Sequence, residues 1–133
     1  VGREQEAKSI LKAGLKKYPG YRSFIYGLAE NYIEDDESLK AIRLLENYKI
    51  KFSQDPNLYL FISKAYSSQG KTLLQYENMA ESFYYKFNLQ EAINQMDLAV
   101  KANDGNFYEK SRVEARLKQL KNEEALYAKF YDK

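Results

Sequence analysis

The side chains that could do chemistry in this chain are carboxylates, lysines, serines and tyrosines, because its 133 residues include no histidine and no cysteine. Four consecutive carboxylates, Glu34, Asp35, Asp36 and Glu37, invite comparison with a calcium loop. Calcium loops alternate their ligands around a central glycine and end in a distal glutamate, and this run has none of these features. We interpret it as an acidic turn that favours the N-terminus of a helix starting near Ser38.

Nucleophilic catalysis is equally restricted by the composition. Histidine and low-pKa thiols are the usual activating groups, so only a Ser/Lys dyad stays formally possible, and no spacing points to one. The same absences remove disulfides, thiolate metal sites and imidazole ligands, and they fit an oxidising compartment as well as a reducing one. We therefore predict that this chain is not an enzyme by itself and that it holds no cofactor and no metal.

The charges favour a protein partner over a nucleic acid. Lysine and arginine number 21 against 19 aspartates and glutamates, a net charge of +2 without long runs of one sign. Such a balance gives no electrostatic footprint for nucleic acid. No apolar run approaches the roughly 20 residues of a membrane-spanning helix. We predict a chain that contacts neither nucleic acid nor the bilayer core.

Apolar residues follow a helical spacing over the whole chain, and within this pattern an alanine recurs at a regular interval. Ala7 and Ala41 are 34 residues apart, which is the period of the tetratricopeptide repeat, and Ala92 follows one and a half periods later. A methyl group at these positions lets two helices approach to about 8 Å. We predict one all-α domain over 1–133, a tetratricopeptide-repeat α-solenoid of about seven antiparallel helices with a long C-terminal capping helix.

The predicted segments follow from apolar residues repeated at helical spacing and from the turn residues between them. In chain order they are an unpaired second helix over 4–17, a complete repeat over 22–52, an atypical helix pair over 57–87, an overlapping repeat over 76–103 and a terminal helix over 106–130. Asp55 followed by Pro56 predicts a capped helix start, and Gly105 marks the turn before the last helix. Because the sequence opens inside a helix, we expect it to be a piece of a longer protein.

The same register predicts a binding surface. In tetratricopeptide stacks the first helix of each pair lines the concave side, and the positions beside its core stripe face a ligand. Those positions are Tyr26, Glu30 and Ile33 in the first pair, Asn57, Leu60, Lys64 and Ser67 in the second, and Glu81, Tyr84 and Tyr85 in the third. Because Glu30 and Glu81 are acidic, we expect the surface to repel a free carboxylate. An extended or β-rich segment, or the loop of a folded partner, fits it better.

Three segments carry a resemblance to a known family. They are YENMAESFYY over 76–85, EAINQ over 91–95 and SRVEARL over 111–117. Together they resemble the C-terminal repeat region of the bacterial periplasmic zinc metalloproteases called β-barrel assembly-enhancing proteases. The SRxEARLxxL ending over 111–120 is the most telling, because the generic repeat consensus lacks it.

The resemblance implies a non-catalytic, periplasmic interaction module that takes part in the quality control of outer-membrane proteins. The implied partners are the outer-membrane β-barrel assembly machinery, unfolded barrel substrates and the protein's own protease domain. Zinc is expected in that missing catalytic domain, at an HExxH site that a chain without histidine cannot itself carry. The alternative is a generic tetratricopeptide adaptor with an unrelated protein or peptide partner.

Overall fold

The computed structural model describes residues 2–131, so both ends of the predicted 1–133 domain lie outside the described residues. Within this range the chain forms seven α-helices and no strand, which confirms the predicted all-α class. The helices are α1 Gly2–Lys17, α2 Arg22–Glu34, α3 Ser38–Glu46, α4 Pro56–Ser68, α5 Thr72–Tyr85, α6 Leu89–Lys101 and α7 Phe107–Tyr131. None of these helices is long and apolar enough to cross a bilayer.

The helices pack in chain order around two hydrophobic clusters. Besides the contacts between successive helices, α2 packs against α4, and α5 packs against α7. The first cluster joins α2, α3 and α4 around residues such as Ile25, Leu45 and Ile62. The second joins α5, α6 and α7 around residues such as Met96 and Val113. The contact between α4 and α5 connects the two halves.

The recurring alanines differ in burial. Ala41 and Ala92 are completely buried, as expected where helices cross closely. Ala7 is only partly buried, because α1 packs against α2 and against no other helix within residues 2–131. The repeat spacing therefore marks tight contacts inside the stack and a looser one at its first helix.

The predicted second helix of the 22–52 repeat is shorter than expected. α3 ends at Glu46, and residues 47–54 form successive turns. The amide of Tyr48 donates a hydrogen bond to the carbonyl oxygen of Leu45, three residues earlier in the chain. In an α-helix it would donate to the carbonyl oxygen four residues earlier, so the chain here forms a tighter turn. The hydroxyl of Tyr48 donates to the carbonyl oxygen of Pro19 at 2.8 Å. A contact with the α1–α2 turn thus accompanies the end of the helix.

Two aspartates set where α4 and α5 begin. Asp55 caps α4 as predicted, accepting a hydrogen bond from the amide of Asn57, with Pro56 at the first helical position. Asp104, in the turn before α7, caps the distant α5 by accepting from the amides of Thr72 at 2.7 Å and Leu73 at 2.9 Å. The sequence predicted the turn at Asp104 but not this contact, which fixes the α6–α7 turn against α5.

The long terminal helix buries side chains against the stack only as far as Leu120. Val113 and Leu120 are buried against the second cluster. Leu126, Tyr127 and Phe130 are more than half exposed. The predicted capping role therefore applies to the N-terminal part of α7, because the rest of the helix extends past α6.

Candidate functional site

An open groove with a volume of about 550 Å³ lies along α4, α5 and α7. Its lining residues are Glu46, Lys49, Tyr59, Tyr66, Leu74, Glu77, Asn78, Glu81, Tyr85, Glu109, Arg112 and Arg116. We call it the α4–α5–α7 groove. Glu46 and Lys49 come from the end of α3 and the turn that follows, and α6 supplies none of these residues.

Helix periodicity explains which α5 side chains face the groove. Leu74, Glu77, Glu81 and Tyr85 recur at intervals of three and four residues, so they share one face of α5. Phe83 points away from that face and packs into the second cluster with residues of α6. The groove and α6 therefore lie on different sides of α5.

Two arginine–glutamate pairs join α7 to α5 along the groove. Arg112 donates from Nε and Nη2 to the carboxylate of Glu77 at 2.6 and 2.8 Å. Arg116 makes the same bidentate contact with Glu81, with both distances 2.9 Å. The two arginines and the two glutamates are each four residues apart, so they form successive rungs on facing helix surfaces. Bidentate pairs fix orientation as well as adding energy.

Tyr84 adds a third contact between α5 and α7. Its hydroxyl donates to Glu123 Oε1 at 2.9 Å, and this bond to the carboxylate raises the pKa of Tyr84. The guanidinium carbon of Arg116 lies 4.7 Å from the centroid of its ring, a cation–π distance. Tyr84 therefore supports the position of α7, a role that its assignment to an open binding surface did not foresee.

Tyrosines from α4 and α5 form the opposite wall. The rings of Tyr59 and Tyr85 stack with their centroids 5.4 Å apart, and the hydroxyl of Tyr59 donates to the carbonyl oxygen of Ser53 at 2.6 Å. Burial raises the pKa of Tyr59 and of Tyr66 above the ordinary value of a phenol, because the charged form would be poorly solvated in the groove wall. The groove thus offers an apolar aromatic wall facing a wall of paired charges, an arrangement suited to holding a polypeptide.

The ten residues predicted to bind a partner are distributed over different surfaces. Glu81 and Tyr85 line the groove. Tyr26 donates to Asp55 Oδ2 at 2.5 Å and stacks on Phe61, and Ile33 packs against the first cluster. Of the others, Glu30, Asn57, Lys64 and Ser67 are exposed and Leu60 and Tyr84 are partly exposed, and none of these six lines the groove. Binding by any of the ten stays a prediction.

One electrostatic expectation needs correction. Glu81 was expected to help repel a free carboxylate, but its own carboxylate is paired with Arg116. A neutralised pair exerts little force on an approaching charge. Discrimination against an anionic end therefore depends on a groove carboxylate such as Glu109, which accepts a hydrogen bond from the amide of Asn106, rather than on Glu81.

Sequence reasoning missed several groove residues. Tyr59 and Tyr66 lie on the side of α4 that a regular repeat would bury. Arg112 and Arg116 lie on a helix to which no binding residue was assigned. A usable signal was present, since the Glu77/Glu81 spacing matches the Arg112/Arg116 spacing and the motifs over 76–85 and 111–117 contain these four residues.

The acidic turn after α2 has a structural role. Lys8 of α1, only 6% exposed, places its Nζ 2.6 Å from both Asp35 Oδ2 and Glu37 Oε1. Ion pairs with Lys40 and Lys8 hold the pKa of Glu37 at about 2. Within residues 2–131 no three acidic, histidine or cysteine side chains are grouped as a metal site. The carboxylates of this turn therefore attach α1 to the rest of the fold.

Comparison with known proteins gives one informative match. No protein-family profile matches the chain. The chain is similar to the β-barrel assembly-enhancing protease of Yersinia pestis, with 28% identity over 104 residues that cover 77% of the chain and 21% of that protein. The match thus spans most of this chain but only about a fifth of the relative. The resemblance inferred from the motifs is supported by this similarity.

Proposed function

We propose that the chain is a non-catalytic protein-binding module that acts in the assembly of outer-membrane β-barrels. Its partners are the assembly machinery, unfolded barrel segments or both, and the α4–α5–α7 groove is its binding surface. The observation that carries the proposal is the 28% identity with a β-barrel assembly-enhancing protease. The all-helical fold with an open groove is compatible with this role.

The helix packing supports a tetratricopeptide-type arrangement. In this assignment α2 and α3 form one helix pair, α5 and α6 form another, and α5 also packs against α4, as in the atypical pair predicted over 57–87. The direct contacts of α2 with α4 and of α5 with α7 are those expected between first helices of successive pairs. The groove then belongs to the layer of first helices, which is the concave side of such a stack.

The chemistry of the groove favours a polypeptide ligand in extended form. Tyrosine rings provide large contact areas with little conformational entropy to lose, and their hydroxyls bond to backbone groups. Arg112, with its side chain half exposed, keeps guanidinium surface available while bound to Glu77. An unfolded barrel segment, with alternating apolar and polar residues, matches this mixture of aromatic and charged walls.

We further propose that the parent protein is a periplasmic zinc metalloprotease. This chain has no histidine for an HExxH site, so catalysis and zinc belong to a separate domain. The repeat module then presents substrates or assembly components to that domain and also contacts it. The support for this parentage is the similarity to the Yersinia pestis protein alone.

A binding experiment tests the proposal. The chain is immobilised, and purified barrel-assembly components and unfolded barrel-derived segments are passed over it in a concentration series. We expect saturable binding of at least one of them. The absence of saturable binding to every one would contradict the proposed function.

Two matched charge reversals locate the surface. Lys49→Glu changes the rim of the groove, and Lys64→Glu changes an exposed lysine of the predicted surface on α4. A rim charge acts mainly on the association rate, so Lys49→Glu should change that rate several-fold, in the direction set by the charge of the bound partner, while Lys64→Glu leaves it unchanged. The reverse pattern would favour the originally predicted surface over the groove.

A further inference from the structure

The last two turns of α7, residues 125–131, are exposed along their whole length. α7 has 25 residues and its antiparallel neighbour α6 has 13. At about 1.5 Å per residue, α7 is longer than α6 by about 18 Å. The unmatched part of α7 and the α5–α6 turn enclose an open cleft with a volume of about 660 Å³. We call it the C-terminal cleft.

The unmatched part of α7 continues the stripe by which the helix packs. Val113, Leu117 and Leu120 belong to or pack against the second cluster. The same alternation of four and three residues leads on to Glu124, Tyr127 and Tyr131. This spacing is typical of helices that pack side by side over a long distance. The continuation thus presents two exposed tyrosine rings and one carboxylate in line with the packing stripe.

Phe87 forms the most unusual feature of the cleft. It lies in the α5–α6 turn with φ at +64°, in the left-handed region that favours glycine and asparagine. Its side chain is 97% exposed. Packing within residues 2–131 therefore does not explain a large apolar residue in this backbone conformation.

The charges of the cleft select the partner. Glu123 and Glu124 are the charged residues among those that line it, and Leu89, Tyr127 and Phe87 supply apolar surface. The neighbouring Lys86 points elsewhere, with its Nζ 5.5 Å from the ring of Phe83, which packs in the second cluster. An apolar floor beside two carboxylates is complementary to an apolar stripe flanked by cationic side chains.

We propose that the C-terminal cleft binds a basic amphipathic α-helix of another protein. The helix lies along α7 where α6 would continue, with its apolar stripe on Tyr127, Leu89 and Phe87 and its lysines or arginines beside Glu123 and Glu124. This mode of recognition is a helix bound in a groove. The cleft adjoins the α4–α5–α7 groove at Tyr85, which lines both, and shares no other lining residue with it. The inference therefore does not depend on which partner the groove binds.

The test uses a labelled model peptide of about 18 residues, about 27 Å long as a helix. It carries leucine at alternating four- and three-residue spacing and lysine at the flanking positions. Fluorescence anisotropy with the full chain should show saturable binding. A peptide of the same composition in scrambled order, and one with glutamate in place of lysine, should each bind at least about tenfold more weakly.

Two phenylalanine variants assign the binding to the cleft. Phe87→Asn places a residue suited to positive φ in the turn, so the melting temperature should not fall, while peptide affinity should drop at least about tenfold. Phe107→Asn removes another exposed phenylalanine, at the opposite end of α7, and should leave affinity unchanged.

Four results would overturn the proposal. They are no saturable binding of the lysine peptide, equal binding of the scrambled or glutamate peptide, equal effects of the two phenylalanine variants, and a dimer of the unmodified chain that Phe87→Asn dissociates. The last result, seen by sedimentation velocity, would assign the cleft to a second copy of the chain.

Discussion

The first and last helices of the described chain are attached in different ways. α1 buries a single side chain, the charged Lys8, between the carboxylates of Asp35 and Glu37. α7 buries Val113 and Leu120 and adds its arginine–glutamate pairs at the rim of that contact. Ile10, which could have served α1 as an apolar anchor, is mostly exposed.

The difference shows what an ion pair contributes in each setting. At α7 the apolar contact supplies the stabilisation and the ion pairs mainly set the orientation of the helix. At α1 the apolar contacts come from half-buried side chains, Leu11 and Leu15, which pack against the first cluster, and the one buried side chain is an ammonium with two partners. Removing the ammonium leaves Asp35 without its ion-pair partner and leaves Glu37 paired with Lys40 alone. We therefore expect α7 to respond mostly to loss of volume and α1 mostly to loss of charge.

The largest effect is expected from Leu120→Ala. Leu120 is 1% exposed, and truncating a leucine at such a position costs about 2–5 kcal/mol. Urea denaturation followed by circular dichroism measures the change. Leu126→Ala, on the same helix at a site 55% exposed, should change the free energy of unfolding by no more than about 0.5 kcal/mol. Similar losses for both variants would show that α7 is not attached by its buried stripe.

Lys8→Met tests the other side of the comparison. The substitution keeps an unbranched chain but removes the ammonium from Asp35 and Glu37, so α1 should separate from the rest of the fold. Native-state hydrogen exchange should show loss of protection in α1 with α5 to α7 unchanged. Lys16→Met, at an exposed site of the same helix, should leave α1 protected. Equal loss of hydrogen-exchange protection in α1 for the two variants would show that Lys8 does not hold α1 in place.

Acid should weaken the attachment of α1 within a defined range. Ion pairs with Lys40 and Lys8 lower the pKa of Glu37 from 4.5 to about 2. A lowered pKa in the folded state means that the stabilisation is complete above pH 4.5 and is lost as the pH falls towards 2. Thermal melts of the unmodified chain should show this decline, and Glu37→Gln should lose less over the same interval. If the melting temperature fell equally with pH in the two proteins, Glu37 would not be the group whose protonation weakens the attachment of α1.

The smallest effect is expected from Arg112→Ala. The Arg112 side chain is 51% exposed, and pairs of this kind contribute about 0.2–1 kcal/mol. Arg116→Ala should cost more, because Arg116 is less exposed and also covers the ring of Tyr84. Chemical denaturation of the two single variants measures the order. A larger loss of unfolding free energy for Arg112→Ala would mean that the exposed Arg112–Glu77 pair contributes more than the Arg116–Glu81 pair.

The fold class could be read from the sequence because the apolar stripes are local. Asp55 and Pro56, for example, identify the start of α4 without knowledge of any other helix. The end of α3 could not be read in the same way. Tyr48 and Phe52 continue a helical pattern, and their rings stack with centroids 5.9 Å apart in the turns after α3. The bond from Tyr48 to Pro19, 29 residues away, is a tertiary contact that the local pattern does not encode.

The candidate site could be predicted on α5 but not on α4. Glu81 and Tyr85 flank the core stripe of α5, and both line the groove. The predicted pair over 57–87 already placed α5 against α4, but the binding residues of α4 were chosen from the register of a regular repeat. The hydroxyl of Ser63 donates to the carbonyl of Gln75 at 2.8 Å, and that of Ser82 donates to the carbonyl of Pro56 at 2.9 Å. These close helix–helix contacts change which side of α4 is free.

The cap that Asp104 provides to α5 also has a consequence for how the chain acquires its structure. The first amides of α5 find their partner only after 31 further residues are in place. During synthesis from the N-terminus, α5 is therefore incomplete until α6 and the following turn have emerged and docked. The C-terminal half should consequently form and open as one cooperative unit, while α1 exchanges on its own.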